Sequence, residues 1–323
     1  MNLTEKLKNY IKNDYDMDLV GVASAQALDG EPEGHRPGDL LPGAKSVIVF
    51  GRALADGVTQ AGFRALEERK IVAQSAYAAY GHDLAPNFLL VNDAYNIAQY
   101  LEDMFGAIAA PVPFGVQQST VWDNVPAPIF TDPYRQGMPL DVFKAAMAAG
   151  IGEFGWSNRF LTREYGPRQL LCAVITTMEL EYDEPYAGPK LCDPETCGVC
   201  VKLCPTCAIP APGSGHAAVK AAGGREVEVA ELKVNSCVVA STAYRKEFQG
   251  RVPVPDLIQG NDPTDEELRD AFAKKPISGL SVDHYPRYLC ERCLLYCPVG
   301  QWKERFFDTG LSKFDPQVRS FME

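Results

Sequence analysis

The sequence predicts a mixed α/β and α+β chain, with an α/β domain over residues 1–185, a cysteine-rich domain over 186–300 and a C-terminal tail over 301–323. Three observations carry this reading. Short β-branched apolar runs alternate with helical patterns through the first half. The composition changes near Gly188, and nine of the ten cysteines lie between there and Gly300. Those cysteines fall mainly in two runs, each of which closes in x₃-Cys-Pro.

Leu3, Leu7, Tyr10 and Ile11 recur at helical spacing and predict an amphipathic helix over 3–15. Residues 18–23 (DLVGVA) and 45–50 (KSVIVF) are short apolar runs bounded by Gly and Pro, which predicts strands buried on both faces. Patterns of 3.6-residue period predict helices over 64–80 and 87–105, with another over 140–149. LLCAVITTMEL (170–180) predicts one more strand. Residues 210–224 (PAPGSGHAAVKAAGG) read as a flexible surface excursion.

The balance of 31 basic and 42 acidic residues gives a net charge of −11. Gripping a phosphate backbone draws on a basic excess, so nucleic acid is not the expected partner. The opening MNLTEKLK has no apolar core and no twin arginine, and no apolar run approaches the roughly 18–20 residues that span a bilayer. The expectation is a cytoplasmic protein with no membrane partner. In that compartment thiols stay reduced, and clustered cysteines point to metal or catalysis.

The first run is Cys192-x₄-Cys197-x₂-Cys200-x₃-Cys204-Pro205, and the second is Cys290-x₂-Cys293-x₃-Cys297-Pro298, with Cys237 between them. In two-cluster ferredoxins the closing Cys-Pro of one run ligates the other cluster. Carried over, that crossover gives one site of Cys192, Cys197, Cys200 and Cys297, and a second of Cys204, Cys237, Cys290 and Cys293. Disulfides, Cys₄ zinc sites and a plant-type [2Fe–2S] cluster on Cys192-x₄-Cys197-x₂-Cys200 compete. Disulfides conflict with the compartment, zinc leaves both x₃-Cys-Pro endings unexplained, and the [2Fe–2S] reading strands most of the second run. Two [4Fe–4S] clusters use eight cysteines and strand none. Cys172, inside an apolar strand, reads as a small core residue, and Cys207 as a bystander near a cluster.

Gly150-Ile-Gly152-Glu-Phe-Gly155 matches the G-x-G-x-x-G pattern, but a helical segment precedes it where a dinucleotide fold needs a strand. These glycines are expected to let backbone approach a packed element or a flat cofactor closely. His35, His82, His216 and His284 form no metal-spaced pair.

LPGAKSVIVFG (41–51), AAMAAGIGEFGWSNRFLTREYGPRQLL (145–171) and the cysteine run that includes CPTCAI resemble the epoxyqueuosine reductase and reductive dehalogenase superfamily over most of residues 40–300. The resemblance implies an N-terminal α/β domain of cobalamin-binding type and a C-terminal ferredoxin-like domain that delivers electrons through two [4Fe–4S] clusters. It implies a corrinoid near Gly150, Gly152, Gly155, Asn158, Tyr165 and Gly166. It further implies a reductase of a small-molecule substrate, supplied by a low-potential donor such as ferredoxin or flavodoxin. Epoxyqueuosine reductases carry an Asp proton donor in a V-D-T-A-P run, where this chain reads Thr131-Asp132-Pro-Tyr134-Arg135-Gln136. Tyr134 is therefore the first candidate donor and Asp132 the second, with Arg135 as a charge partner. The alternative is a two-cluster electron-transfer protein that kept the fold without the corrinoid. A tRNA-modifying reductase is a third reading, opposed by the net charge and the missing Asp.

Overall fold

Asn2 starts the first element. Its side chain accepts the Glu5 N–H at 2.8 Å, while the Glu5 carboxylate accepts the Asn2 N–H at 3.3 Å. This reciprocal cap satisfies donors that a helix leaves orphaned. Helix α1 (Leu3–Asp14) follows and buries Thr4, Leu7 and Ile11, whereas Leu3 stays exposed. The computed structural model describes residues 1–67, 71–83, 88–112, 139–242, 263–264, 266–267 and 290–300.

In chain order the next elements are β1 (Leu19–Ser24), the single turn α2 (Pro37–Leu40), β2 (Ser46–Ala53), α3 (Asp56–Glu67) and α4 (Ile71–Tyr77). A π-helical stretch (Ala78–Asp83), α5 (Leu90–Phe105), β3 (Ala109–Pro111) and α6 (Val142–Ala148) come next. Two short strands, β4 (Glu153–Phe154) and β5 (Phe160–Leu161), precede the long β6 (Gln169–Thr176). The cysteine-rich part adds α7 (Val199–Leu203), β7 (Ala217–Ala222), β8 (Arg225–Ala230), α8 (Val234–Thr242) and the single turn α9 (Arg292–Leu295).

The main sheet has the order β1-β2-β6-β3, and every pair in it is antiparallel. Strands alternate with helices as the sequence expects, but the pairing makes the layer α+β in character. Its two central strands are buried on both faces. Ile48, Phe50, Leu170, Cys172 and Val174 face a core shared with α1, α3 and α5. Val47, Val49, Leu171, Ala173 and Ile175 face the opposite core, built by α6 and by Ala222, Val227 and Val229 of the β7–β8 hairpin. The period-2 alternation of a strand thus feeds two cores from one sequence run.

Two expectations need correction. The helix placed over 64–80 begins earlier, at Asp56, where the chain leaves β2. The excursion over 210–224 contains β7, which pairs with β8 across Gly223-Gly224. Both glycines have positive φ (58° and 76°), as a two-residue hairpin turn of matching twist requires. A Gly-Gly pair flanked by alternating residues is itself a hairpin signal, hidden here by the surrounding Pro and Gly.

Core residues from both sides of position 185 pack together: Val199, Leu294, Leu295 and Tyr296 join the first core. The segment after β6 returns along the free edge of β1, where Asp183 accepts the Val22 N–H and donates its own N–H to the Val22 carbonyl, both at 2.8 Å. Lys8 holds the same carboxylate at 2.6 Å. Among the described residues no helix is long and apolar enough to cross a membrane.

Candidate metal centre

The seven cysteines of the two runs, together with Cys237, sit on short turns and helices. In the first run the Asp193 carbonyl accepts the Cys197 N–H at 3.0 Å, and Gly198, at φ 60°, turns the chain into α7, which carries Cys200. Cys204 closes that helix, and its sulfur accepts the Ala208 N–H at 3.1 Å. Cys237 lies on α8, and Cys293 lies on α9. Cys290 and Cys297 flank α9.

The thiols sense one another's charges. Cys200 feels Cys293 most, then Cys192, Cys297 and Cys197, and Cys297 feels Cys192 and Cys197. Cys237 feels Cys293, Cys290 and Cys204, while Cys290 and Cys293 each feel Cys204. Burial pushes the Cys290 and Cys297 thiols up to about 12, and raises those of Cys192, Cys200, Cys237 and Cys293 as well. Thiols in such surroundings hold their protons until a metal displaces them. Among the described residues, no three or more His, Cys, Asp or Glu side chains converge tightly enough to hold a metal ion. Thiols are soft donors, the ligand chemistry that iron–sulfur clusters take.

The glycine segment is the platform beneath these thiols. Trp156, buried between β4 and β5, donates its backbone N–H to the Cys192 sulfur at 3.4 Å and its indole N–H to the Pro210 carbonyl at 2.8 Å. Cys192, Cys200, Cys204 and Cys293 pack around Trp156, Ile209 and Ala230. Glu153, also buried, accepts the Leu191 N–H at 2.5 Å and pairs with Arg225 at 3.2 Å. Arg159 reaches the second run, pairing with Glu291 at 2.8 Å and hydrogen-bonding the Cys293 side chain. Arg168 donates to the carbonyls of Leu294 (3.2 Å), Cys297 (2.9 Å) and Val299, and so clamps the loop that carries Cys297. Burial lowers the Arg168 guanidinium to about 9, with the neighbouring Cys297 sulfur opposing that shift. A guanidinium so placed is still cationic at neutral pH.

Six residues of this segment were expected to lie near a corrinoid. Gly152, Gly155, Asn158 and Gly166 are buried, and Gly150 and Tyr165 are half-buried. A Cβ on Gly152 would strike the Leu161 carbonyl oxygen, one on Gly150 that of Glu184, and one on Gly166 that of Val299. Gly155 packs on the Leu161 side chain. Asn158, at φ 63°, donates its amide to the Ala230 carbonyl at 2.8 Å. The Tyr165 hydroxyl meets Asp18 at 3.3 Å. The missing side chains of these glycines are taken up by the chain's own packing, and the geometry offers no support for them as the floor of a flat cofactor.

Tyr134, Asp132 and Arg135 lie outside the described residues. Arg159, Arg168, Glu153 and Trp156 are the site residues that the sequence reading missed. A charged residue reads as a surface residue until its partner, more than a hundred positions away for each arginine, is known.

No protein-family model matches the chain. Over 194 residues, 60% of its length, it is 28% identical to an epoxyqueuosine reductase of Gloeobacter violaceus. The match spans 57% of that relative. Among solved structures, the chain is similar to an epoxyqueuosine reductase with a tRNA-Tyr epoxyqueuosine-modified stem loop (TM-score 0.43, 18% identity, 65% of this chain and 54% of that one). It is also similar to an epoxyqueuosine reductase from Streptococcus thermophilus (TM-score 0.42, 16% identity, 66% and 55%). A reductive dehalogenase whose structure suggests a mechanism for B12-dependent dehalogenation gives a TM-score of 0.41 at 15% identity, over 93% of this chain and 37% of that one. By sequence, the chain is related to the epoxyqueuosine reductases, members of the superfamily that its cysteine and glycine motifs resemble.

Proposed function

We propose that the chain is an oxidoreductase related to epoxyqueuosine reductases and reductive dehalogenases, with two [4Fe–4S] clusters and a cobalamin as cofactors. Its substrate is a small molecule, and its electrons come from a low-potential donor such as ferredoxin or flavodoxin. What supports the cluster assignment is the set of charges the thiols sense: Cys297 senses Cys192 and Cys197 of the first run, and Cys237 and Cys290 sense Cys204. When bound, the clusters supply one-electron transfer and the corrinoid a strongly reducing cobalt. The chain supplies thiolate ligands, two buried guanidinium groups beside them, and the apolar shelf of Trp156, Ile209 and Ala230 that keeps water away. For the proton that a reduced substrate needs, Tyr134 is the leading donor, ahead of Asp132, with Arg135 beside them. A phenol with a reference pKa near 10 stays protonated at neutral pH.

Anaerobic reconstitution tests the cluster assignment. Two cubes require about eight irons and eight sulfides per chain. Cys297→Ala is expected to damage the cluster of the first run and Cys204→Ala that of the second, read by paramagnetic resonance. Tightly bound zinc, or each variant losing only the cluster of its own run, overturns it. Tyr134→Phe is expected to keep cofactor content and to slow turnover by roughly 10²–10⁴-fold, the usual worth of general acid help; unchanged turnover removes Tyr134 from the mechanism.

A second reading, an electron-transfer protein without corrinoid, is favoured by the packing of Gly150, Gly152, Gly155 and Gly166 against protein atoms. Cobalamin absorption that survives gel filtration separates the two. The expectation against nucleic acid rests on net charge alone, and a relative in fold is solved with a tRNA stem loop, so tRNA binding is tested directly below.

A further inference from the structure

Arg159 and Glu291 form an ion pair at 2.8 Å with both side chains only 9% exposed. Burying two charges costs several kcal/mol per ion, and the pair's attraction often fails to recover it, so stability is a weak reason for such a pair. Its position suggests another reason. Glu291 lies between Cys290 and Cys293, held at φ 32° where the chain enters α9. Arg159 comes from the opposite side, at the turn between β4 and β5, and its guanidinium hydrogen-bonds the Cys293 side chain. The pair therefore presents both signs of charge, at fixed distance, to one thiol of the second quartet.

We propose that Arg159 is a positioning residue that raises the reduction potential of the centre ligated by Cys293, and that Glu291 is its opposing charge. The proposal rests on the two-cluster reading. Reduction brings in one electron from the external donor and adds one negative charge to a centre whose thiolates are already negative. An N–H···S bond and a cation beside the sulfur stabilise that added charge, and a carboxylate one residue along destabilises it. Hydrogen bonds to sulfur and local net charge are among the factors that set cluster potentials. A guanidinium suits this role because it stays charged at any working pH and its planar fork can bond the carboxylate and the sulfur together.

The test is a redox titration of the iron- and sulfide-loaded full chain, followed by paramagnetic resonance, on the parent protein, Arg159→Gln, Arg159→Lys and Glu291→Gln. Arg159→Gln is expected to make the Cys293 centre harder to reduce, by about tenfold in the one-electron equilibrium, which is about 59 mV. Glu291→Gln shifts the same centre the opposite way, and Arg159→Lys lies between the parent and Arg159→Gln. The other centre keeps its potential in all three. A purely structural role predicts shifts of one sign, or cluster loss, in both Gln variants. Shifts of the same sign, or no shift, overturn the proposal. Should Arg159→Gln fail to hold its cluster, Glu291→Gln decides: an upward shift supports the proposal and an unchanged potential rejects it. A parent protein without four-iron centres refutes the cluster reading itself, whereas eight irons with unmoved potentials refute this inference alone.

Discussion

Cys172 and Cys207 stand outside the eight cysteines proposed as ligands, and they differ sharply in exposure. Cys172 lies in β6 at 1% exposure, its thiol facing the Val112 carbonyl at 3.9 Å, and burial pushes that thiol up to about 12. The thiolate is the nucleophile, so at pH 8 almost none is present. Cys207 is exposed, at φ 53°, its N–H bonded to the Cys204 carbonyl at 3.2 Å. Iodoacetamide on the cluster-loaded folded chain is expected to label Cys207 and spare Cys172, as read by mass spectrometry. Labelling of Cys172 at a comparable rate contradicts its place in the core. The reading of Cys172 as a small core residue came directly from its apolar neighbours. Arg159 and Arg168 gave no such clue, because the side chain that is commonest on surfaces reveals its burial only through distant partners.

At the scale of elements, the turn that carries Gly166 joins the two halves of the candidate site. Gly166 closes a tight loop with Thr162, exchanging backbone hydrogen bonds at 3.0 and 2.9 Å, and lies directly under the Val299 carbonyl. Its φ of 59° is left-handed and strained for any side chain. Gly166→Ala is expected to cost about 1–3 kcal/mol from backbone strain, with a further penalty of similar size for crowding the loop that Arg168 clamps. Chemical denaturation measures the first, and iron lost from the Cys297 centre reports the second. Gly30→Ala is the control: a Cβ there meets nothing within 4 Å, and its change should stay within about 0.5 kcal/mol. Equal losses in both variants reject this account. In the sequence this glycine was placed near a corrinoid by family resemblance, and residue order alone does not show which backbone approaches it.

Among the described residues, the four-stranded antiparallel sheet separates two cores, and the cysteine-rich part contributes to both through Val199 and α9 on one face and the β7–β8 hairpin on the other. A variant that disturbs the cysteine region therefore bears on the stability of the α/β part as well. The same molecule carries a net charge of −11. Bulk tRNA at physiological salt is expected to bind no more tightly than about 10⁻⁴–10⁻⁶ M, the usual non-specific range. A gel-shift series showing sub-micromolar affinity, weakening steeply with added salt, overturns this and favours a tRNA-modifying reductase.

The parts legible from residue order were those governed by short-range rules. Strand and helix periods and the x₃-Cys-Pro endings depend on neighbours within a few positions. The spacing, set beside the two-cluster ferredoxin pattern, suggested which thiols share a centre. Packing decided the rest. Whether strands pair antiparallel, what fills the space over each glycine, and which arginines are buried depend on contacts between distant segments. Arg159 meets Glu291 across 132 positions, and Arg168 meets the Cys297 carbonyl across 129. No local pattern encodes such a meeting, because its energy comes from desolvated charge and close-packed backbone that exist only once the layers have closed.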